Sequence, residues 1–289
     1  MIQKFIKCNL LPALAICLSL NISGCSDASG EKNSNAELDA YFNSKWAANK
    51  LWDDGNAEVA KYDAQRIIYG KPRHFEYIYI LVKEDFNEEF NVKTDDYDRN
   101  DLFNVMKVNQ FARIETENYP YHLLSCLFYK RNIPASLHKA TISSQEWCGN
   151  TFKVFNNNET GYEYKYNSYW DGQGEGNYNL PEKILFEDQL SYTFRALNFR
   201  DELQFNYDIV ESQITNKANE PQIYNATIEI SDNSLGENNT WLVSVKLDNE
   251  KVNEYTFEKE YPNLLVSQKT WDGRNMQLKS TERKAYWVN

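Results

Sequence analysis

The chain has 289 residues, with 42 acids against 31 bases and a formal net charge of −11. A balance this acidic repels phosphate backbones and anionic headgroups over long range, which excludes nucleic acid as a partner. Aromatic residues make up 15% of the chain (20 Tyr, 15 Phe and 7 Trp), which excludes a disordered chain and points to strands that carry Tyr on half-wet faces.

The first 24 residues read as a targeting segment. Lys4 and Lys7 form a positive n-region, Leu10 to Leu20 an apolar run, and Ile22-Ser23-Gly24-Cys25 resembles the bacterial lipobox at every position. Pro12 and Asn21 interrupt the run before it reaches the roughly 20 apolar residues a membrane span needs. Residues 1–24 are therefore expected to be a lipoprotein signal peptide and Cys25 the lipidated first residue. Several acyl chains of the palmitate kind on Cys25 make an effectively permanent membrane anchor, since each buried methylene contributes about 0.8 kcal/mol. The compartment this implies is the cell envelope. By resemblance to sorting rules in enteric bacteria, Ser26 in place of Asp points to the outer membrane. Removal of the signal takes away two lysines and no acid, so the mature chain is more acidic still.

Residues 25–36 are small and polar beyond the cysteine and predict a tether. Leu38, Tyr41, Phe42, Trp46 and Leu51 then recur at helical spacing and predict an amphipathic helix over 37–51. From there the rhythm becomes β. Strand-like runs are expected at 58–69, 74–83, 102–116, 120–130, 137–148, 151–156 and 161–170, the plainest being Tyr77-Ile78-Tyr79-Ile80-Leu81-Val82. Pro181 suits a first helical position, and Ile184, Leu185, Leu190, Phe194 and Leu197 mark an apolar face, which predicts a second helix near 181–197. Strands resume at 203–214, 223–230, 240–248, 252–259, 262–270 and 275–288. The fold class is mainly β: a large twisted antiparallel sheet, either an incomplete barrel or a sandwich, with two helices. Residues 37–289 form this β-rich part, as one domain or as two sub-domains with a break near 172–200. No parallel βαβ alternation is visible, which disfavours a doubly wound fold.

Only Cys126 and Cys148 remain after the signal and the lipidated cysteine are set aside, an even pair facing an oxidising space. The Arg131-Asn132-Ile133-Pro134 turn between two strand-like runs makes a Cys126–Cys148 disulfide one reading. Two separately buried thiols are the other, since the pairing register is not set by the sequence. Three Trp-acid-Gly turns, at Trp52, Trp170 and Trp271, are too unevenly spaced for a repeat and read as tight turns. Asp96 to Asp101 has the alternating acids of half a calcium loop, but Asp101 and Lys107 stand where an EF-hand needs Gly and Glu. The run Asp171-Gly172-Gln173-Gly174-Glu175-Gly176-Asn177 is either a hairpin connection or a loop that binds a cation or glycan.

Catalytic motifs are absent. His74, His122 and His138 are far apart with no zinc spacing, and there is no nucleophile elbow or P-loop, so no metal, cofactor or catalytic residue is expected. The candidate binding residues are Glu146 with Trp147 and Trp170 with Asp171, each an acid against a large aromatic at a probable strand end.

The runs Trp52-Asp-Asp-Gly-Asn-Ala-Glu, Ile68-Tyr-Gly, Val82-Lys-Glu-Asp-Phe, Tyr119-Pro-Tyr and Ser144-Gln-Glu-Trp-Cys-Gly resemble, in order, segments of uncharacterised lipoproteins of the Bacteroidota. The resemblance covers most of the first half and extends to Tyr166-Asn-Ser-Tyr-Trp and the Thr281-Glu-Arg-Lys-Ala-Tyr-Trp ending. That group often carries the transferred label "septum formation inhibitor Maf". True Maf proteins open with a Ser-x-Ser-Pro-Arg-Arg phosphate loop, and no such segment exists here. The resemblance implies an envelope lipoprotein and not nucleotide hydrolysis. The expected function is a non-enzymatic binding or assembly module that meets a protein, glycan or lipid of the envelope and reaches the membrane through its lipid anchor. The alternative is a carboxylate-dependent hydrolase of an envelope saccharide or peptidoglycan fragment, using Glu146 or Asp171.

Overall fold

The computed structural model describes residues 40–158, 160–235, 239–248 and 250–288. The signal peptide, Cys25 and the tether at 25–36 lie outside these residues. The strands are β1 (Ala57–Ile68), β2 (Lys71–Asn87), β3 (Val92–Lys93), β4 (Leu102–Ile114), β5 (Tyr121–Lys130), β6 (Leu137–Glu146), β7 (Gly149–Asn158), β8 (Gly161–Ser168) and β9 (Glu175–Leu180). A helical segment follows β10 (Leu185–Phe186), and the chain continues as β11 (Leu203–Val210), β12 (Ile223–Asp232), β13 (Thr240–Lys246), β14 (Val252–Glu258), β15 (Leu265–Lys269) and β16 (Asn275–Lys284).

All sixteen belong to one hydrogen-bonded sheet in the order β10-β11-β12-β13-β14-β15-β16-β1-β2-β4-β5-β6-β7-β8-β9, with β3 beside β2. Every described pairing is antiparallel except the short β10–β11 contact. Two meanders are thus joined where β1 pairs with β16, and the sheet is left open between β9 and β10. It is not closed into a barrel, and it is not divided into the two sheets of a sandwich. The described residues all fall in one compact unit, with no division near 172–200.

Alternation decides which face is inside. On β1 the even positions Ala60, Tyr62 and Ala64 join the main core, and on β2 their partners Tyr79, Tyr77 and Phe75 pack against it. Ile78, Ile80 and Val82, one residue out of phase, pack instead with Ala57 and Val59 in a small cluster on the other face. Core residues from β1, β4–β8 and β11–β16 belong to one cluster, so the sheet curls around a shared interior.

That interior is filled by the segment 184–197, which is buried at every position. The predicted helix over 181–197 is mostly absent: only Leu190–Thr193 is α-helical (α1), between 3₁₀ turns at Glu187–Gln189 and Phe194–Ala196. The reason is that a segment buried all round has no solvent face to pattern, and wall groups take its polar atoms. Gln189 Nε2 donates to Ala135 O at 2.9 Å, and Thr193 Oγ1 donates to Pro134 O at 3.3 Å. The helix expected over 37–51 also fails within the described residues, giving 3₁₀ turns at Trp46–Ala48 and Lys50–Asp53. Asn43 and Asn49 side chains accept from the Lys45 and Leu51 N–H groups, offering the backbone an alternative to helix. Phe42 instead bridges Leu197, laying this segment against the filling.

Most of the strand bounds agree with the sequence reading, but β9 lies partly inside the run read as a loop. The Gly-rich stretch is a hairpin connection between β8 and β9, closed by Ser168 N–H donating to Gly174 O at 2.6 Å. All three Trp-acid-Gly segments are turns, with Gly55, Gly172 and Gly273 at φ of 76°, 75° and 81°, a region that favours glycine. The disulfide is not formed: Cys126 and Cys148 are both free. Cys126 faces Thr141 across β5–β6, while Cys148 lies seven residues beyond Thr141, past the end of β6. At about 3.3 Å per strand residue the two are far outside the roughly 4–7 Å Cα separation of a disulfide.

Candidate functional site

β1 runs from a closed end, near Ala57, to the opposite end of the sheet near Ile68. At the closed end Glu58 and Arg195 form a buried two-point ion pair, Nη1 to Oε1 at 2.7 Å and Nη2 to Oε2 at 2.9 Å. The guanidinium also lies over the rings of Trp46 and Trp52, 5.1 and 5.8 Å from their centroids. Tyr261 Oη donates to Trp46 O and accepts from Trp52 Nε1, completing the closure.

The other end contains a cleft with a cavity volume of about 50 Å³, within a larger space of about 540 Å³ that includes open solvent, reaching under β1, β2 and β16 to the filling segment. Its apolar walls are Phe75, Tyr77, Tyr79, Leu123, Ile214 and Met276. Its floor is ionic. Arg274 pairs with Glu187 through Nη2, and its Nε meets Asp272 Oδ2 at 2.7 Å. Glu187 also accepts from Asn253 Nδ2 at 3.0 Å and from Ser212 N at 3.2 Å. Asp188 accepts from Ser212 Oγ at 2.5 Å and Gln213 N at 2.6 Å, with Arg274 Nη1 4.0 Å away. Burial pushes the Asp188 carboxyl above its ordinary value, and the neighbouring Glu187 charge pushes the same way against Arg274. Burial works against the charge on Arg274 most strongly, yet Glu187, Asp272 and Asp188 together hold its pKa above the usual arginine range. Nearby Lys153 Nζ donates to Gln213 O at 2.8 Å, and burial lowers its pKa to about 8.

Arg66 completes the lining and differs from all of these. It occupies the same inward phase of β1 as Tyr62 and Ala64, is half-buried, and makes no hydrogen bond or ion pair with any described residue. Burial first, and then the like charge of Arg274, lower its pKa. The side chains of Gln65 and Gln268, also in the lining, are likewise without a described hydrogen-bond partner. Toward solvent the cleft continues past Asp63, His74, Ser267, Lys269 and Gln277.

None of the four residues singled out from sequence lines this cleft. They sit on two turns at the same end of the sheet. Trp147 is 78% exposed and stacks on Tyr119 at 6.1 Å. Glu146 accepts from Asn216 Nδ2 at 3.0 Å through Oε1, while its buried Oε2 has no partner. Trp170 packs edge-on to Tyr169, and Asp171 accepts only from the N–H of Gly172, next in its own turn. The two turns touch: a Cβ on Gly149 would fall 2.3 Å from Tyr169 Cγ, so this close approach requires glycine. Cys148 Sγ donates to Tyr119 Oη at 3.4 Å, beside a Tyr69–Tyr121 hydroxyl contact.

Among the described residues no group of three or more His, Cys, Asp or Glu converges as metal ligands would. No described helix is long and apolar enough to cross a membrane. No family model matches the chain, and no curated protein matches it. Two solved structures are similar. A β-barrel-like protein of the domain of unknown function DUF1849 from Brucella abortus has a TM-score of 0.46 and 8% identity, over 79% of this chain and 98% of its own. A DUF1089 family protein from Pseudomonas aeruginosa has a TM-score of 0.36 and 12% identity, over 55% of this chain and 82% of its own.

Proposed function

We propose that this chain is a lipoprotein of the cell envelope, anchored through Cys25 and directed to the outer membrane, and that it works as a non-enzymatic binding module with its ligand in the cleft. The observation that carries the binding half is the state of the cleft's charges. Both acids in its lining, Glu187 and Asp188, are held by three and two donors respectively. A general acid or base has to exchange its proton with a substrate, and a carboxylate saturated by Arg274, Asn253 and backbone N–H groups is poorly placed to do so. The group left open is a guanidinium, which binds and does not take protons.

The tether precedes residue 40, and the first described segment joins the molecule at the closed end through Phe42 and Trp46. The cleft lies toward the other end of β1, where Ala64, Gln65 and Arg66 line it, seven to nine residues from Ala57 and so about 25–30 Å along the strand.

Two measurements test it. In a native host, Cys25→Ala should abolish acyl labelling and move the protein from the membrane fraction to the soluble fraction. Full chain purified from its own membranes should carry a small molecule detectable by mass spectrometry after denaturing extraction. Turnover of an envelope saccharide or peptidoglycan fragment, lost in Glu146→Gln or Asp171→Asn, would replace the binding role with the hydrolase alternative.

A further inference from the structure

We propose that the cleft recognises a carboxylate-bearing amphiphile of single negative charge, its carboxylate on the Arg66 guanidinium and its apolar body among Phe75, Tyr77, Leu123 and Met276. This rests on the reading of the cleft as a ligand site and adds the class of ligand.

The charge demand comes from Arg66. Its position in the inward phase of β1 places a cation next in a stripe whose preceding members Ala60, Tyr62 and Ala64 are core residues. A partly desolvated cation normally finds a partner within the fold, because the cost of leaving water is otherwise uncompensated. The adjacent Arg274 has taken three carboxylates, and none of them reaches Arg66. A planar guanidinium with its donors free matches a carboxylate in two-point geometry.

The single charge follows from the same neighbours. Asp272 and Asp188 both act on Arg66 through space, so the local field is already tempered. One negative charge balances one free guanidinium, whereas a dianion would bring a second charge against those carboxylates at close range. The free amides of Gln65 and Gln268 supply neutral donors and acceptors for polar atoms near the carboxylate. The body of the ligand is set by the walls: an aromatic and aliphatic lining around a small cavity suits a compact apolar group.

The test is calorimetric titration of the full chain with 3-phenylpropanoate, its neutral amide 3-phenylpropanamide, and the dianion phenyl phosphate. The expected order is carboxylate tighter than amide by about tenfold or more, the scale of one charge-assisted hydrogen-bonded contact, with phenyl phosphate weaker than the carboxylate. Arg66→Gln should lose that tenfold for the carboxylate and leave the amide unchanged, while Arg66→Lys keeps part of it. Unfolding midpoints of both variants should match the parent, which separates loss of a contact from loss of the fold. Equal binding of acid and amide, tighter binding of phenyl phosphate, or an Arg66→Gln variant that still prefers the acid would each overturn the proposal. Absence of binding by all three probes would also overturn it, and the binding role would then stand or fall on the co-purified molecule. Ala64→Phe fills the cleft from its β1 wall. If it abolishes binding of acid and amide alike while Arg66→Gln changes neither, the cleft binds and the anion assignment is wrong.

Discussion

The two ends of the curled sheet place arginine on its inner face in opposite ways. At the closed end Arg195 has Glu58 in two-point contact and two tryptophan faces against it, so its charge is met on every side. At the cleft end Arg66 enters from the same strand that carries Glu58, in the same alternation, and no described residue hydrogen-bonds or ion-pairs with its guanidinium. The first arrangement is what a fold requires of a buried ion. The second makes sense when the missing partner comes from outside. Charge satisfaction, more than residue type, therefore separates the part of this interior that holds the molecule together from the cleft proposed to take a ligand.

The comparison can be broken hardest at the closed end. Glu58→Gln leaves the Arg195 guanidinium buried with its countercharge gone, and should destabilise the protein by roughly 3–5 kcal/mol in denaturant unfolding. The double variant Glu58→Leu with Arg195→Met should recover most of this, because a pair replaced by apolar groups leaves no orphan charge. A single-variant loss below about 1 kcal/mol would show that the pair does not clamp the filling segment to β1. Next in size is Arg274→Met at the cleft floor, which strips Glu187 and Asp272 of their shared cation. Glu187 keeps Asn253 and Ser212, so the expected loss is smaller, about 2–3 kcal/mol by the same measurement.

Much of this contrast was hidden in the sequence for identifiable reasons. The strands were legible because Tyr, Ile and Val alternate plainly, as in Tyr77 to Val82, and because Asn, Pro and Gly mark their ends. Their closure into one sheet through β1 and β16 was not, since pairing of strands more than 200 residues apart leaves no local trace. The helical filling was misread as a long amphipathic helix because Glu187 and Asp188 look like a solvent face. They are buried, and their flanking by Phe186 and Leu190 was the available signal. Glu146, Trp147, Trp170 and Asp171 drew attention as acids beside aromatics, which is also how a surface turn is composed. Arg66 could have been found: an arginine in the inward phase of Ala60, Tyr62 and Ala64 breaks the strand's own pattern.

A smaller effect sharpens the comparison through pH. His138, at the closed end on β6, is half-buried, shares a hydrogen with Asn91 Oδ1 at 2.7 Å and faces Lys130 and Lys139. Burial first, then the two lysines, lower its pKa from 6.5 to about 4. Between these values the unfolded chain binds the proton and the folded one does not, so stability falls as pH drops from about 6.5 to 4. Allowing for its partial exposure, the loss should be about 1–2 kcal/mol, and His138→Gln should flatten the curve over that window. The window is separate from that of Asp53, which Arg131 and Lys83 hold at about 2, so its contribution is present above 3.8 and disappears only as pH falls toward 2. A slope that persists in His138→Gln would assign the pH response to other groups and leave the closed end without a titrating base.

The smallest expected effect discriminates best. Arg66→Gln removes a charge that makes no internal ion pair and relieves its repulsion with Arg274, so unfolding stability should change by no more than about 0.5 kcal/mol and in the favourable direction. The same substitution type at Arg195 should be severely destabilising, although both arginines belong to one interior and lie at opposite ends of one strand's inner face. Stability curves for Arg66→Gln and Arg195→Gln at one pH and one salt concentration make the comparison direct. If Arg66→Gln lost several kcal/mol, its guanidinium would have a structural partner in the folded protein, and the cleft end would be a second clamp. If the two variants differ as expected, a half-buried cation that can be removed without harm to the fold is retained for something the fold does not contain, which is the property a ligand-binding residue has.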